Sequence, residues 1–313
     1  MVVNTYNEKA LESINNLEPN VIPKLSGKII CLHHNDNDGI FAAKLIKKVY
    51  DVDTFIACNY TVKIDEYVKN LAKTDSVIIV DFSLHYKDLT TIMDKVGKVL
   101  YMDHHITTLM SLQKNMRDVI ERMKDNTLLC NCDNRISGTR IVYEAFKSKF
   151  SSYLEKAIIL IDNYDRFEEN TEAFYLNSYL QASFLVSLDN DKFLESILSN
   201  KEYLDNAIKY GKRLFDLQRE RNQIICSNFA FTTRFEGLNL SVIKGHGNSL
   251  LFGDTIKDYD AVCIYYKLPD GRYRYSMYSA DNKANVSSIC QRYGGGGHIH
   301  AAGFTSDTDF FCN

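Results

Sequence analysis

The stretch KIICLHHNDNDGIFAAKLIKKV, residues 28–49, decides the fold of this chain. It begins with the apolar run KIICL, which is typical of a strand buried on both faces. It ends with IFAAKLIKKV, in which apolar residues recur three and four positions apart, as in an amphipathic helix. Between the two lies HHNDNDG, residues 33–39, which places imidazoles and carboxylates just beyond the strand. A buried strand, a polar turn and a helix in this order predict an α/β domain.

The same alternation of apolar runs and amphipathic patterns continues to residue 105. Strands are predicted at 28–32, 54–58, 76–80 and 98–102, with helices at 40–49, 64–71 and 86–96. Strands of such continuous apolar character fit a parallel sheet that is covered by helices on both faces. The sequence therefore predicts a doubly wound α/β domain.

Acidic and imidazole side chains follow three of these strands. HHNDNDG follows the first, Asp81-Phe82-Ser83 follows 76–80, and Asp103-His104-His105 follows 98–102. The carboxyl ends of parallel strands lie along one edge of the sheet, where ligand crevices form. We therefore expect these groups, which are distant in sequence, to lie together in the fold.

The pattern becomes helical from residue 131 to about residue 200. Ser137-Gly138-Thr139 is predicted to cap a helix that runs to Phe150. The apolar helix at 153–161 leads into Asp162-Asn163-Tyr164-Asp165. The sequence thus predicts a helical segment with acidic residues at the end of one helix.

Three segments follow from these patterns. Residues 1–200 are predicted to form a first, α/β domain, 201–225 a connecting amphipathic helix, and 226–313 a smaller α+β domain. In the last segment, apolar and polar residues alternate as in β-strands at 238–243, 261–266 and 273–278. A length of 313 residues also favours two domains over one.

Composition excludes several classes of protein. The chain has 37 basic and 40 acidic residues, so no overall field attracts nucleic acid and any phosphate binding must be local. No stretch approaches the roughly 18 uninterrupted apolar residues of a membrane span, and the first twenty residues lack the order of a signal peptide. Eight cysteines without a CxxC pair indicate reduced thiols. These features predict a cytosolic protein that does not engage a membrane.

The acidic groups that follow the carboxyl ends of the strands suggest a metal centre. Its candidates are Asp36, Asp38, Asp81, Asp103, His104 and Asp162. Carboxylates packed together repel one another unless cations lie among them, and oxygen-rich ligands with a minority of nitrogen favour Mn²⁺ or Mg²⁺. Two ions about 3.5–4 Å apart, bridged by a carboxylate, would suit hydrolysis of a phosphate ester by activated water. Any one of these aspartates could instead be a helix cap or a turn residue.

The glycine-rich run GGGGHIHAAG, residues 294–303, is the second feature with a chemical meaning. Consecutive glycines let the backbone approach a ligand closely and direct N–H groups at an anion. His298 would be a neighbouring donor. The alternative is a flexible loop, although linkers do not continue into small residues and histidine in this way.

These motifs together resemble those of the DHH phosphoesterases. HHNDNDG, VDFS, MDHH and the aspartate after IILI match four ordered motifs of that family, and YGGGGHIHAAGF matches the signature of its DHH-associated C-terminal domain. The resemblance spans residues 28–304. It implies a DHH catalytic domain that is joined by a helix to a substrate-binding domain.

The resemblance also implies roles for individual residues. The metal ligands would be His34, Asp36, Asp38, Asp81, His104 and Asp162, with Asp81 bridging two Mn²⁺ ions and His33 as the alternative to His34. Asp103 would orient an imidazole, and His105 would face the substrate phosphate. The nucleotide end would be held by Gly295, Gly296, Gly297 and His298.

One departure from the family pattern concerns the segment ahead of the glycines. The family often reads SxRS there, whereas this chain has Ser276-Met277-Tyr278-Ser279. A tyrosine can stack or donate one hydrogen bond but cannot form a bidentate charged contact with a phosphate. Tyr278 is therefore a candidate for substrate binding, with Arg292, Arg274 or Lys283 as candidates to replace the missing charge.

The predicted function is that of a compact, nanoRNase-like member of this family. It would be a Mn²⁺-dependent phosphodiesterase, with Mg²⁺ as an alternative, that hydrolyses very short single-stranded RNA or DNA or dinucleotides to mononucleotides. Hydrolysis of 3′-phosphoadenosine 5′-phosphate or of cyclic or linear dinucleotide messengers are alternatives, as is a catalytically silent nucleotide-binding protein. The oligomeric state is left open, with a homodimer as one alternative.

Overall fold

The structure, a computed structural model, describes residues 13–59, 64–168, 170–280 and 283–311. The chain divides into two compact units, Met1–Leu214 and Phe215–Asn313.

In the described part of the first unit, six strands form one sheet. They are β1 (Ile14–Asn15), β2 (Ile29–His34), β3 (Thr54–Cys58), β4 (Ser76–Val80), β5 (Lys98–Asp103) and β6 (Leu128–Cys132). Their order is β1-β6-β5-β4-β2-β3, and all neighbours are parallel except the short β1, which runs antiparallel to β6. Every residue of β4 is buried, as the apolar run SVIIV predicts.

Helices cover both faces of this sheet. They are α1 (Asn37–Val49), α2 (Ile64–Val68), α3 (Tyr86–Lys95), α4 (Ile106–Lys114), α5 (Met116–Lys124), α6 (Gly138–Ala145), α7 (Leu154–Asp165), α8 (Thr171–Ser183), α9 (Asp191–Ser199) and α10 (Lys201–Phe229). One apolar cluster joins a sheet face to α1 and α6 through α9, and a second joins the other face to α2 through α5. The predicted doubly wound architecture is confirmed.

The strand order places a topological switch point between β2 and β4. From β2 the chain passes through α1 to β3 on one side, and then through α2 to β4 on the other side. Helices leave the carboxyl ends of β2 and β4 in opposite directions, and this opens the crevice in which ligands bind in such sheets. The polar residues that follow these two strands therefore lie at this crevice.

The second unit contains the other six-stranded sheet in the described part of the chain. Its strands are β7 (Phe231–Phe235), β8 (Leu238–Lys244), β9 (Ala261–Lys267), β10 (Tyr273–Tyr278), β11 (Gly296–His298) and β12 (Ala301–Ser306), with helix α11 (Val286–Arg292). The order is β11-β12-β10-β9-β8-β7, antiparallel except for the parallel pair β8 and β9. Stacked rings of Tyr275, Phe304 and Tyr293 fill its core. This is the smaller α+β unit that the alternating patterns predicted.

Several boundaries differ from the sequence-based expectations. Helix α1 begins at Asn37 rather than residue 40, because Asp36 caps it by accepting a hydrogen bond from the Gly39 N–H at 2.9 Å. Helix α7 continues to Asp165, since its acidic end offers no residue that breaks a helix. Helix α6 ends at Ala145 and is followed by a short 3₁₀ turn at Lys147–Lys149. Helix α10 extends to Phe229, and the limit between the two units falls within it.

Two further expectations concern cysteines and membranes. Seven cysteines lie in the described residues and all are free thiols, six of them buried; Cys312 lies outside the described residues. Among the helices that the structure describes, none combines the length and apolar character needed to cross a bilayer.

Candidate metal centre and active site

Asp81 lies at the centre of the polar cluster, one residue beyond β4. Its backbone has a left-handed φ of 50° and its side chain is 1% exposed. Within the described residues, neither of its carboxylate oxygens accepts a hydrogen bond. Burial, followed by the charges of Asp38 and Asp36, raises the pKa of Asp81 well above the ordinary value. A carboxyl group in this state is stabilised as an anion only if a cation lies against it.

His104 connects Asp81 to a first group of ligand atoms. Its Nε2 lies 3.1 Å from Asp81 Oδ1, 3.4 Å from Asp165 Oδ2 and 4.0 Å from Asp38 Oδ2. Asp38, His104 and Asp165 each offer a ligand atom within 4.8 Å of the others. Burial and the charges of Asp38 and Asp36 also raise the pKa of Asp165.

His34 and Asp36 form a second group on the other oxygen of Asp81. His34 Nδ1 lies 2.7 Å from Asp36 Oδ2 and 4.0 Å from Asp81 Oδ2. Loss of solvent would raise the pKa of Asp36, but the hydrogen bond and charge of His34 outweigh that effect and lower the pKa to about 2. His33 takes no part in this group, because its Nδ1 pairs with the His34 carbonyl at 2.8 Å. The structure thus brings His34, and not His33, to the cluster.

Asp103 and His105 form a buried pair beside the cluster. His105 Nδ1 lies 2.7 Å from Asp103 Oδ1, and Thr108 donates its hydroxyl to Asp103 Oδ2. Burial would raise the pKa of Asp103, but the charge and hydrogen bond of His105 hold it well below its usual range. His105 Nδ1 is 4.0 Å from Asp81 Oδ1. The pair therefore fixes an imidazole at the edge of the candidate metal centre; the predicted contact of His105 with a substrate phosphate stays a prediction.

The amino terminus of α6 holds Asp38 from the opposite side of the crevice. Asp38 Oδ1 accepts from the Ser137 hydroxyl at 2.8 Å and the Thr139 N–H at 3.0 Å, and Oδ2 accepts from the Gly138 N–H at 2.7 Å. Three donors at the amino end of the helix hold this carboxylate in one orientation. In that orientation Asp38 Oδ2 faces His104 Nε2.

Asp162 lies outside the cluster, contrary to its predicted place among the ligands. Its Oδ1 accepts from the Ser137 N–H at 2.6 Å, and its Oδ2 accepts from Arg140 Nη1 at 2.8 Å. One helical turn later, Asp165 lies on the face of α7 that points to His104. The tetrad Asp162-Asn163-Tyr164-Asp165 offered both carboxylates, and only the packing of α7 distinguishes them.

Sequence reasoning also missed the α6 amino terminus as part of the site. Ser137, Gly138 and Thr139 were recognised as a helix cap, but their contact with Asp38 spans about 100 positions and has no local signal. A Cβ on Gly138 would lie 2.5 Å from Asp81 Cβ, so the helix approaches β4 without room for a side chain. Thr108 was likewise missed.

The donor set fits divalent cations that prefer oxygen. Imidazole nitrogens lie near both oxygens of the buried Asp81 carboxylate, His104 Nε2 near Oδ1 and His34 Nδ1 near Oδ2. In the first unit, three groups of ligand atoms could hold an ion: His34, Asp36 and Asp81; Asp38, His104 and Asp165; and Asp81, Asp103 and His105. Carboxylates with a minority of imidazole suit Mn²⁺ or Mg²⁺. The oxygens of Asp81 and Asp165 Oδ2, which lack hydrogen-bond donors in the described residues, are those that a cation would satisfy.

The glycine run of the second unit is a paired hairpin strand rather than an open loop. Gly296–His298 forms β11 and pairs with β12, and a Cβ on Gly295 would lie 2.1 Å from the Gly303 carbonyl oxygen. Gly297 has a φ of 137°, a conformation that favours glycine. The N–H groups of Gly294 and Gly295 donate to carbonyls of α11, so neither is directed at an anion as expected. The close pairing of two strands explains Gly295 and Gly297, whereas a Cβ on Gly294 or Gly296 would meet no neighbour within 4 Å in the described residues.

The other candidate substrate residues of this unit lie on the same sheet and helix. Tyr278 ends β10, where burial raises its pKa. Arg292 ends α11 and pairs with Glu236 Oε2 at 2.7 Å, so its charge is already partly neutralised. His298 ends β11.

Comparison with known proteins supports the assignment of the fold. No family profile matches the chain. The chain is 24% identical to oligoribonuclease NrnB of Bacillus subtilis over 295 residues, covering 86% of this chain and 71% of that protein. It is 23% identical to an uncharacterised protein, R106, of Acanthamoeba polyphaga mimivirus over 305 residues, covering 88% of this chain and 66% of that protein. The chain thus spans about two thirds of the length of these relatives.

A solved structure shares the fold. The pGpG-specific phosphodiesterase PggH of Vibrio cholerae aligns with a TM-score of 0.50 at 14% identity, covering 90% of this chain and 93% of that chain. The similarity to NrnB and this shared fold agree with the resemblance to the DHH phosphoesterases that the five ordered motifs of the sequence indicate. One of the two relatives, NrnB, is an oligoribonuclease by name.

Proposed function

We propose that this protein is a metal-dependent phosphodiesterase that hydrolyses very short single-stranded oligonucleotides or dinucleotides to mononucleotides. The observation that carries the proposal is Asp81, a buried carboxylate that accepts no hydrogen bond on either oxygen in the described residues. His104 Nε2 lies 3.1 Å from its Oδ1 and His34 Nδ1 lies 4.0 Å from its Oδ2. This arrangement suits two ions bridged by one carboxylate. Mn²⁺ is the proposed cation, with Mg²⁺ as the alternative.

The ligands for these ions would be His34, Asp36, Asp38, Asp81, His104 and Asp165. When bound, such a pair of ions polarises a phosphate ester and lowers the pKa of a coordinated water. The chain itself fixes the ligands: α6 orients Asp38, and Asp36 is held by capping α1. Preorganised ligands of this kind avoid reorganisation during the reaction.

His105 would act on the substrate phosphate. Its Nδ1 lies 2.7 Å from Asp103 Oδ1, which fixes the orientation of the ring. Nε2 is then the ring nitrogen left to contact a phosphate oxygen of the substrate. Asp103 is thus proposed as a positioning residue and His105 as a catalytic one.

The substrate class is proposed from the chemistry of the chain and the names of its relatives. NrnB is an oligoribonuclease and PggH a pGpG-specific phosphodiesterase, both of which act on short substrates by their names. The near balance of 37 basic and 40 acidic residues does not favour a long groove along a polymer backbone. On the second unit, Gly296, Gly297 and His298, with Tyr278, are proposed to hold the nucleotide end.

The decisive experiment measures kcat/KM for a dinucleotide and for a 20-mer at two salt concentrations, with Mn²⁺ present and after chelation. We expect hydrolysis that requires the metal, favours two to five nucleotides and depends weakly on salt, because few phosphates are neutralised. Equal efficiency on the 20-mer with steep salt dependence would indicate a processive exonuclease. Stoichiometric retention of the dinucleotide without product would indicate a silent binding protein.

The same assay, with further substrates, separates the remaining alternatives. Preferred hydrolysis of 3′-phosphoadenosine 5′-phosphate or of a cyclic dinucleotide would assign the protein to those reactions. The cytosolic location and the homodimer remain predictions from the sequence.

A further inference from the structure

A cavity of about 230 Å³ opens beside the metal centre and lies entirely within the first unit. Asp36, Asp38 and Asp165 form the side shared with the centre. The remaining walls come from α7, α8 and Asn37 of α1. Its volume is below the ~300–1,000 Å³ of pockets for drug-sized ligands, so it suits one ring system rather than a whole dinucleotide.

The far walls of this cavity are apolar. Leu160 and Ile161 of α7 and Leu176 and Leu180 of α8 line it. Tyr164 also lines it, and Phe174 packs edge-on against the Tyr164 ring with centroids 5.6 Å apart. Apolar walls with a supported aromatic ring suit the face of a planar group.

The side-chain amides of Asn177 and Gln181 line the same cavity. Asn177, which is 4% exposed, accepts a hydrogen bond at Oδ1 from Asn37 Nδ2 at 2.8 Å. In the described part of the chain, no acceptor takes a hydrogen bond from Asn177 Nδ2. Gln181 lines the cavity at an exposed position. Amide groups pair well with the edge of a nucleobase.

The charge of the lining argues against a second phosphate as the occupant. The lining residues include three aspartates and no lysine, arginine or histidine. Ions at the centre would compensate these carboxylates at the reacting phosphate, but nothing in the lining compensates a further phosphate at the far end. Polyphosphate and pyrophosphate therefore do not fit this cavity.

We propose that the cavity between α7 and α8 binds the nucleobase of the nucleotide whose phosphate lies at the metal centre. This inference rests on the proposed function and deepens it, because it names the group next to the scissile phosphate. Asn177 and Gln181 contact the edge of the base, and Tyr164 with the leucines contacts its face.

The test uses Gln181→Trp, which places a large ring at the exposed rim of the cavity. The matched control is Ala182→Trp, the adjacent exposed residue of α8, which does not line the cavity. Binding of adenosine 5′-monophosphate and of ribose 5-phosphate to the Mn²⁺-loaded protein is measured by calorimetry. The two probes carry the same phosphate and sugar and differ in the base alone.

We expect the wild-type protein to bind adenosine 5′-monophosphate about tenfold or more tightly than ribose 5-phosphate, as stacking of one base allows. Gln181→Trp should reduce this ratio to about twofold or less, and Ala182→Trp should leave it unchanged. Asn177→Asp, which keeps the acceptor for Asn37 and replaces the amide donor, should change the order of preference among the four mononucleotides.

Equal affinity of the wild-type protein for the two probes would overturn the proposal, as would a ratio that survives Gln181→Trp. If Asn177→Asp fails to fold, the Gln181→Trp and Ala182→Trp pair still decides. Failure of the proposed function is a separate outcome, namely no hydrolysis of any dinucleotide by the wild-type protein with Mn²⁺ or Mg²⁺.

Discussion

Asp162 Oδ1 accepts a hydrogen bond from the Ser137 N–H at 2.6 Å, across 25 positions of sequence. Its other oxygen accepts from Arg140, one turn further along α6. The first turn of α6 in turn donates three hydrogen bonds to Asp38. Asp162 therefore positions the helix that positions a proposed metal ligand.

This relationship predicts different effects for the two aspartates of α7. Asp165→Asn should weaken Mn²⁺ binding by more than tenfold, because it removes a proposed ligand charge. Asp162→Asn keeps an acceptor for the Ser137 N–H and should weaken binding by less than tenfold, the lower end of the effect of residues that orient metal ligands. Calorimetric titration of both variants checks this. If Asp162 were the ligand, Asp162→Asn would weaken Mn²⁺ binding more than Asp165→Asn.

Asp81→Asn should abolish the stabilisation of the protein by Mn²⁺ while the variant still folds. Removal of a buried charge that lacks hydrogen-bond donors should raise the unfolding temperature of the chelated protein. The wild-type protein should gain roughly 5 °C at a hundredfold excess of Mn²⁺ over its Kd, and Asp81→Asn should not gain it. Asp51→Asn, at an exposed position, is the control for charge loss. An equal metal response in Asp81→Asn would refute a bridging role.

His105→Ala should lower kcat by about 100-fold or more, as removal of a group that moves a proton or stabilises charge does. Mn²⁺ affinity should change by less than about threefold, since His105 is not among the proposed ligands. His85→Ala, another histidine in the residue before a helix but exposed, should have no effect on either quantity. Rate and metal affinity are measured on the same preparations. If His105→Ala also lost Mn²⁺ binding, His105 would be a metal ligand.

The contact between α1 and α9 predicts a pH dependence of stability. Hydrogen bonds from the Lys44 and Lys47 ammonium groups lower the pKa of Asp191 from 3.8 to about 2. A carboxyl group with a lowered pKa stabilises the folded state above its unfolded pKa, and this contribution is lost as the pH falls through the folded value. The difference in free energy of unfolding between wild type and Asp191→Asn should therefore shrink between about pH 4 and pH 2.

Solvent limits the size of that effect, because the Asp191 side chain is 49% exposed. We expect about 0.5–1 kcal/mol at pH 6, reduced by salt. Denaturant unfolding at pH 6 and pH 3 measures it. Asp189→Asn, an exposed charge in the preceding turn, is the control and should show no such change. If the difference in free energy of unfolding between wild type and Asp191→Asn did not change with pH, the ion pairs of Asp191 would not be its cause.

The sequence predicted the parallel sheet because buried strands and amphipathic helices differ in period. It also predicted that residues behind β2, β4 and β5 would meet, since that follows from parallel topology alone. It could not choose between Asp162 and Asp165, because the rotation of α7 is set by packing against α1, α6 and α9. Nor could it find the contact between Ser137 and Asp38, which depends on long-range packing. It predicted a substrate role for the glycine run, which stays a prediction, but not the pairing with β12 that leaves no room for a side chain at Gly295 and Gly297.

The geometry of the candidate metal centre depends on Gly138, a residue that supplies no ligand atom. A Cβ there would lie 2.5 Å from Asp81 Cβ and 3.0 Å from Asp38 Oδ2. Even the smallest side chain would therefore separate α6 from β4 and move Asp38 away from Asp81. The spacing between these two proposed ligands thus depends on the absence of a single methyl group. A search for functional positions that considers only reactive side chains would pass over the residue that sets this spacing.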